Sequence, residues 1–236
     1  MAKSHQHEQS RKDKFLESFS QFLYKNRIIL ITVFSVIIAG LIALSVIVSI
    51  NRSNAEKAAG RTEQLQETYS EWLQMSDEDE EGTGKKAELK ETILTDAQDI
   101  ADSFPKTFAA QRSIFIAAEL NSIEEEWEES AEGYARLAEG YPESYLAPLA
   151  LAAASAAYEN AGIPEKALES ARGIVDDYGD TSLEAPHAWF TVGRLLEQSG
   201  DSNGALEAYR ELVGNFPESS WTKLAQDRII VLEKGE

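Results

Sequence analysis

The sequence predicts an all-α protein in which a single N-terminal transmembrane helix is followed by an α-solenoid of helical hairpins. Two observations lead to this prediction. Residues 28–50 form an uncharged apolar run, and four later segments end alike at spacings of 37 or 38 residues. The chain also contains no cysteine, which excludes disulfides, thiol catalysis and thiolate metal sites.

Residues 1–27 form a basic tail with six Lys or Arg residues and three acidic residues. In the second half of this tail the large apolar residues share one helical stripe. They are Phe15, Leu16, Phe19, Phe22 and Leu23. The stripe predicts either an interfacial helix on the cytoplasmic leaflet or the first turns of a longer membrane helix, and both alternatives stay open.

The run from Ile28 to Ile50 has 23 residues, no charge and no proline. As a helix it is about 34 Å long, which is enough to cross a hydrocarbon core of about 30 Å. Its length favours a membrane span over a buried core helix, and the long preceding tail favours a retained anchor over a cleaved signal peptide. Ser35, Ala39 and Ala43 recur every four residues and predict a contact face for another membrane helix.

The charges on either side of the span predict its orientation. The basic side is expected in the cytoplasm, which places residues 51–236 outside it. That part carries 38 of the 41 acidic residues but only 16 of the 22 Lys and Arg residues. Such an acidic domain is repelled by nucleic-acid phosphates and by anionic lipid headgroups, so neither is an expected partner.

Residues 51–85 are predicted to form a helical extension, at about 53–75, followed by an acidic linker. The acidic spacing from Asp77 to Glu88 resembles an EF-hand loop. However, Gly84 stands where a branched apolar residue belongs, and the chain has no second such loop. A solvated linker is therefore the favoured interpretation, and calcium binding is left open.

Residues 86–236 repeat with a fixed period, which is the mark of a solenoid. The repeated segments end in the aromatic residues Phe104, Tyr141, Tyr178 and Phe216. The apolar stripes predict outgoing helices at about 107–122, 144–160 and 184–199, returning helices at about 88–103, 124–140, 164–178 and 203–215, and a capping helix at about 219–233. The first returning helix is expected to pair with 53–75.

The turns between these helices carry their own signals. Gly162 and Gly200 can end helices in the left-handed conformation. Pro164 suits the first position of a helix, and either Asp201 or Ser202 can cap the helix that follows Gly200.

The last unit resembles a tetratricopeptide repeat. Trp189, Gly193, Ala205, Tyr209 and Pro217 occupy that family's first-helix aromatic, small-residue, second-helix small, aromatic and terminal proline positions. The first unit keeps Tyr134 and Pro142. The middle unit departs from the pattern, with Leu151, Ser155 and Gly179 at the aromatic, small-residue and proline positions. The resemblance implies a helical-hairpin solenoid that binds proteins.

The layout of basic tail, uncleaved span and acidic repeat domain resembles the ancillary subunits of the Sec translocon in bacterial inner membranes. This resemblance implies a single-pass inner-membrane protein with its C-terminal domain in the periplasm. Its expected partners are translocon subunits, periplasmic chaperones or exported clients, and its role is to assist protein export. The alternative is a structural organiser that links the membrane to cell-wall or division machinery.

The residues with catalytic or ligating chemistry do not form a recognisable constellation. Residues 51–236 contain one histidine, His187, and neither zinc-ligand spacing, nor a nucleophile elbow, nor a phosphate loop. We therefore expect no enzyme activity, no cofactor, no metal and no small-molecule substrate.

The tetratricopeptide resemblance also implies a groove along the outgoing helices. Apolar centres with charged rims at those positions suit an extended or helical peptide. Phe115 and Phe190 are the strongest anchor candidates, because aromatic residues most often anchor partners, whereas Trp189 is expected in the core. The groove candidates are Arg112, Phe115 and Glu119 in the first unit, Leu149, Ala152, Ala156 and Glu159 in the second, and His187, Phe190, Arg194 and Glu197 in the third.

Overall fold

A computed structural model describes residues 16–75, 80–179 and 181–234. The chain divides into two compact units, Met1–Asn54 and Ala55–Glu236. In the first unit, residues 16–25 form helix α1, and helix α2 (Arg27–Gln74) begins after a turn at Asn26. Residues 1–15, which include Phe15 and most of the predicted basic tail, lie outside the described residues.

Helix α2 carries the predicted membrane span. Of the helices described, it is the one that is long and apolar enough to cross a membrane, by length and composition. Ser35, Ala39 and Ala43 are exposed along it. The Thr32 hydroxyl donates to the Ile28 carbonyl at 2.9 Å, so the polar group of this threonine is satisfied within the helix itself.

The second unit is built from helices that follow one another as antiparallel hairpins, and each of α3 to α9 packs on the next helix in the chain. No strand occurs in the described ranges. The predicted hairpins are confirmed, and most helix ends fall within a few residues of their predicted positions. The helices are α3 (Glu80–Ser103), α4 (Phe108–Ile123), α5 (Trp127–Gly140), α6 (Leu146–Asn160), α7 (Pro164–Tyr178), α8 (Ala185–Gln198), α9 (Ser202–Asn215) and α10 (Ser220–Lys234).

The solenoid core extends into the C-terminal part of α2. Leu65 and Trp72 are each 1 % exposed and share a cluster with Ile93 and Ile100 of α3 and Leu120 of α4. This is the predicted pairing of 53–75 with the first returning helix. The compact unit accordingly begins at Ala55, well before the expected domain boundary at residue 86.

Helix α3 begins eight residues earlier than the sequence suggested, so the predicted linker is largely helical. Residues 76–79 of the EF-hand-like stretch, including Asp77, lie outside the described residues. From Glu80 onward the chain is helix, which cannot wrap a cation as a calcium loop does. Two contacts hold this start in place, because Lys85 pairs with Glu71 at 3.0 Å and Lys86 lies 5.0 Å from the Trp72 ring centre.

Two of the helix ends use glycine as predicted. Gly162 and Gly200 have φ of 74° and 87°, in the left-handed region that glycine adopts without strain. After Gly200, the Asp201 carboxylate accepts a hydrogen bond from the Gly204 amide at 2.9 Å and caps α9. These turns therefore follow from local chemistry alone.

The α4–α5 turn is stabilised in a different way, because its residue with a positive φ, 60°, is Glu125 and not glycine. Lys90 of α3 holds the residues on both sides, with its ammonium 2.7 Å from Glu126 and 3.5 Å from Glu124. Burial lowers the pKa of Lys90, but the hydrogen bonds and charges of these two glutamates outweigh it and raise that pKa. This ion-pair cluster stabilises the strained turn.

Successive repeats are joined by tyrosine hydroxyls. Tyr141 donates to the Pro105 carbonyl at 2.8 Å, and Tyr178 donates to the Pro142 carbonyl at 2.8 Å. Each bond joins residues that are 36 apart in the chain. Because the repeat period is 37 residues, the tyrosine that ends one repeat bonds to the proline beside the end of the repeat before it. Burial raises the pKa of both tyrosines, which keeps the hydroxyls in their donating form.

Within each hairpin, the helices approach at one small-residue contact that differs from unit to unit. In the first unit the Ser130 hydroxyl donates to the Ala118 carbonyl at 2.9 Å. In the second unit the direction of the hydrogen bond is reversed, because Ser155 of the outgoing helix donates to the Ala167 carbonyl of the returning helix at 2.9 Å. Ser155, which departs from the family pattern, is thus accommodated because its buried hydroxyl crosses to the partner helix.

Candidate partner-binding groove

A groove of about 1200 Å³ lies between the C-terminal part of α2 and the starts of α4 and α6, all within the second unit. We call it the α2–α4 groove. Its lining runs along α2 from Ala55 to Gln74 and includes Phe108, Arg112 and Tyr145. Small side chains such as Ala59 leave it open. It is a surface large enough to accept a peptide segment.

One wall of this groove is a row of carboxylates. Glu63, Glu67 and Glu71 recur every four residues on α2, so they fall on one helical face. Glu71 is paired with Lys85 at 3.0 Å. Glu63 and Glu67 are exposed and make no ion pair with the described residues. This wall therefore presents uncompensated negative charge.

The opposite wall is aromatic. Phe108 and Tyr145 stack with ring centres 5.7 Å apart and ring planes 23° apart. They remain 49 % and 74 % exposed, although each could bury a large apolar area against a partner. The first turn of α4 is fixed beside them, because the Thr107 hydroxyl accepts a hydrogen bond from the Ala110 amide at 3.2 Å. The pair is thus held in place and still largely uncovered.

The groove candidates predicted in the first unit take three different positions. Arg112 lines the α2–α4 groove, and its guanidinium lies 5.9 Å from the Phe115 ring centre. Phe115 is half-buried, with its ring edge-on to Tyr134 at 5.1 Å. Glu119 lies near Tyr69, and burial together with the charge of that carboxylate raises the pKa of Tyr69. Only Arg112 of these three reaches the groove.

In the second unit, Leu149 is 42 % exposed and lines a separate depression of about 880 Å³ that also includes Tyr145 and Leu183. Ala152 is half-buried, and Ala156 is exposed. Tyr145 lines both this depression and the α2–α4 groove. Of Leu149, Ala152 and Ala156, only Leu149 lines the depression.

The charged candidates of the last two units pair with one another and with α10. Arg194 binds Glu159 through two hydrogen bonds of 2.7 and 2.6 Å, which ties α8 to α6. This hydrogen bonding raises the pKa of Arg194. Glu197 accepts two hydrogen bonds from Arg228 of α10, and another from the Tyr209 hydroxyl at 3.2 Å.

The aromatic candidates of the last unit are engaged by the capping helix. His187 stacks on Trp221 with ring centres 4.5 Å apart. Phe190 is half-buried between Trp221 at 5.3 Å and Tyr209 at 5.6 Å. Trp189, expected in the core, is also half-buried against the same cluster. Partner binding by any of these side chains stays a prediction.

Sequence reasoning did not single out Phe108 and Tyr145, although a signal was present. The two residues are 37 apart, and Leu183 and Trp221 follow at two further steps of 38. A large side chain therefore lies at, or within two residues of, the start of each outgoing helix and of the capping helix. The carboxylate row on α2 escapes sequence reasoning, which predicts an extension and a linker for residues 51–85.

The same helix-by-helix stacking occurs in solved structures of low sequence identity. A tetratricopeptide repeat protein from Parabacteroides merdae ATCC 43184 superposes with a TM-score of 0.53 at 12 % identity, covering 75 % of this chain and 61 % of its own. A Podosopora anserina protein with nearly identical TPR-like repeats gives 0.53 at 11 % identity, over 76 % and 87 % of the two chains. The fold is a tetratricopeptide-type solenoid.

The sequence comparisons agree with this solenoid fold. A family model for the tetratricopeptide repeat matches residues 187–219, the unit that carries the most signature residues. A TPR repeat-containing protein from Treponema pallidum (strain Nichols) is 32 % identical over 132 residues, which cover 54 % of this chain and 53 % of that protein. The chain therefore spans about half the length of this curated relative.

Proposed function

We propose that this chain is a membrane-anchored scaffold that binds other proteins outside the cytoplasm and assists protein export or periplasmic chaperoning beside the Sec translocon. The main observation in support of the proposal is the α2–α4 groove. In it the stacked and largely exposed pair of Phe108 and Tyr145 lies on a tetratricopeptide-type solenoid. Solenoids of this kind present extended surfaces for partner proteins. The proposal assigns the chain no catalytic step.

The proposed location is the bacterial inner membrane, with α2 as a single span and the N-terminus in the cytoplasm. The length and composition of α2 support the span, and the excess of Lys and Arg before residue 28 supports the orientation. The acidic repeat domain would then lie in the periplasm.

Binding of a protein can be tested with a photo-crosslinking amino acid at Tyr145 in cells that produce the full chain. We expect this position to capture a partner that can be identified by mass spectrometry. The matched control is Glu207, which is exposed on α9 and far along the chain from the groove. Equal yields at the two positions would contradict a role for the groove.

The translocon assignment is tested separately within the span. Small residues on the stripe of Ser35, Ala39 and Ala43 let a neighbouring helix approach closely. A photo-crosslinker at Ala39 is expected to trap a translocon subunit, whereas one at Ile37, on the opposite face, is not. If Ala39 captures only division or cell-wall proteins, the chain is instead an organiser of the envelope.

A further inference from the structure

We propose that the α2–α4 groove accepts a basic segment of a partner protein that also carries large apolar side chains. Lysine or arginine residues of this segment lie along the α2 carboxylates, and its apolar residues cover the Phe108–Tyr145 pair. The inference rests on the proposed function and specifies the chemistry of the partner.

The charge of the groove selects a cation. Glu63 and Glu67 are exposed, share one face of α2 and lack an ion-pair partner among the described residues. Like charges four residues apart on a helix repel each other, so a cation that lies between them relieves a cost already present in the free protein. The acidic excess of residues 51–236 adds long-range attraction for the same class of partner.

The two cations of the groove do not cancel this selection. The Lys85 ammonium is paired with Glu71 at 3.0 Å. The Arg112 guanidinium lies 5.9 Å from the centre of the Phe115 ring, which gives it a cation–π contact within the chain. The lining of the groove holds three carboxylates and two cations, so its net formal charge is negative and disfavours an acidic peptide.

The aromatic wall selects a partner with apolar side chains. Phe108 and Tyr145 stack on each other, which fixes their ring planes and reduces the entropy lost when a partner covers them. Aromatic residues in this state are frequent anchors of protein interfaces. A peptide that is basic but has no apolar side chain would bind only through exposed charges, which contribute little.

The test uses the full chain in nanodiscs of phosphatidylcholine, which is uncharged overall. The probes are a short fluorescent peptide rich in lysine with two spaced phenylalanines, and a matched peptide with glutamate at every lysine position. Fluorescence anisotropy gives the dissociation constant, and empty nanodiscs give the background. We expect the lysine peptide to bind more tightly than the glutamate peptide.

Three variants assign the effect to the groove. The double variant Glu63→Gln with Glu67→Gln is expected to weaken binding of the lysine peptide about five- to tenfold. The matched control, Glu207→Gln with Glu218→Gln, removes the same charge elsewhere and should leave binding unchanged. Tyr145→Ala should weaken binding of both peptides.

The outcomes separate this inference from the proposed function. If both double variants weaken binding equally, the attraction is nonspecific and the inference is wrong. If the two peptides bind equally and Tyr145→Ala weakens both, the groove binds proteins without selecting charge, so the proposed function stands and the inference fails. If neither peptide binds, the inference fails, and crosslinking from Tyr145 decides the proposed function independently.

Discussion

Replacement of Gly193 by alanine places a methyl group against a ring that cannot move away. A Cβ atom at this position would lie 2.5, 2.7 and 2.8 Å from three carbons of the Tyr209 ring, well inside the usual carbon–carbon separation of about 3.5–4.0 Å. Tyr209 is 0 % exposed, its hydroxyl donates to Glu197 at 3.2 Å, and Phe190 packs beside it at 5.6 Å. The overlap must therefore be relieved by displacing the α8–α9 hairpin.

The magnitude follows from two opposing effects. Overpacking of a core by a methyl group costs about 1–3 kcal/mol, and the rigid surroundings place Gly193→Ala near the upper end. Alanine is favoured over glycine in a helix by about 1 kcal/mol, so the net loss of stability is about 2 kcal/mol. For a domain of this size that corresponds to a fall in Tm of about 4–8 °C.

The assay is thermal unfolding of the full chain in detergent, followed by tryptophan fluorescence, to which the nearby Trp189 and Trp221 contribute. Gly60→Ala is the matched control, because a Cβ atom there meets nothing within 4 Å. This control is expected to gain about 1 kcal/mol from helix propensity alone. If Gly193→Ala were as stable as Gly60→Ala, the explanation of Gly193 by close helix packing would be wrong.

Three further predictions concern single contacts. Tyr178→Phe removes the hydroxyl that bonds to the previous repeat and should lower the free energy of unfolding by about 1 kcal/mol in urea titrations, whereas Tyr145→Phe, which loses no described hydrogen bond, should not. Burial and the Glu197 charge raise the pKa of Tyr209 from 10.0 to about 12, so its contribution to stability is complete below pH 10 and is lost as the pH rises through about 12. Alkaline unfolding of Tyr209→Phe should therefore be less steep, and an unchanged slope would contradict this assignment. Arg194→Ala and Glu159→Ala, combined in a double-mutant cycle, should show a coupling of about 1 kcal/mol, and additive effects would mean that the bidentate pair contributes nothing measurable.

Much of the solenoid could be predicted because its signals are local or strictly periodic. Gly162 and Gly200 end helices as expected, and the Asp201 carboxylate caps the next helix. The hairpins between residues 88 and 234 follow from apolar stripes and from the repeat period. Local rules and the period agree with each other here, which is the condition under which sequence reasoning succeeds.

The start of the domain could not be predicted in the same way. Glycine and clustered acidic residues at 76–85 suggested a linker, yet α3 begins at Glu80. Contacts of Lys85 with Glu71 and of Lys86 with Trp72 favour the helix, and they join residues 14 apart in the chain. Tertiary contacts of this kind override local propensity and are invisible to a pattern search.

The groove residues were the least predictable part of the molecule. Positions carried over from the family resemblance locate candidate residues on the outgoing helices. They do not show which of these residues already contact other side chains of the same protein. Arg194 and Glu159 satisfy each other, and Phe190 is covered by the capping helix. Tyr145 remains uncovered because it stands at the very start of its helix, ahead of the hairpin core.

The tyrosine–proline hydrogen bonds restrict how this protein can change in length. Each hydroxyl must reach a carbonyl 36 residues earlier, so a single inserted or deleted residue between Pro142 and Tyr178 would carry the donor out of range. Insertion of a whole repeat keeps every tyrosine–proline hydrogen bond intact, whereas insertion of one residue breaks one of these bonds. Variants that gain or lose complete repeats should therefore remain folded more often than variants with short insertions inside a unit.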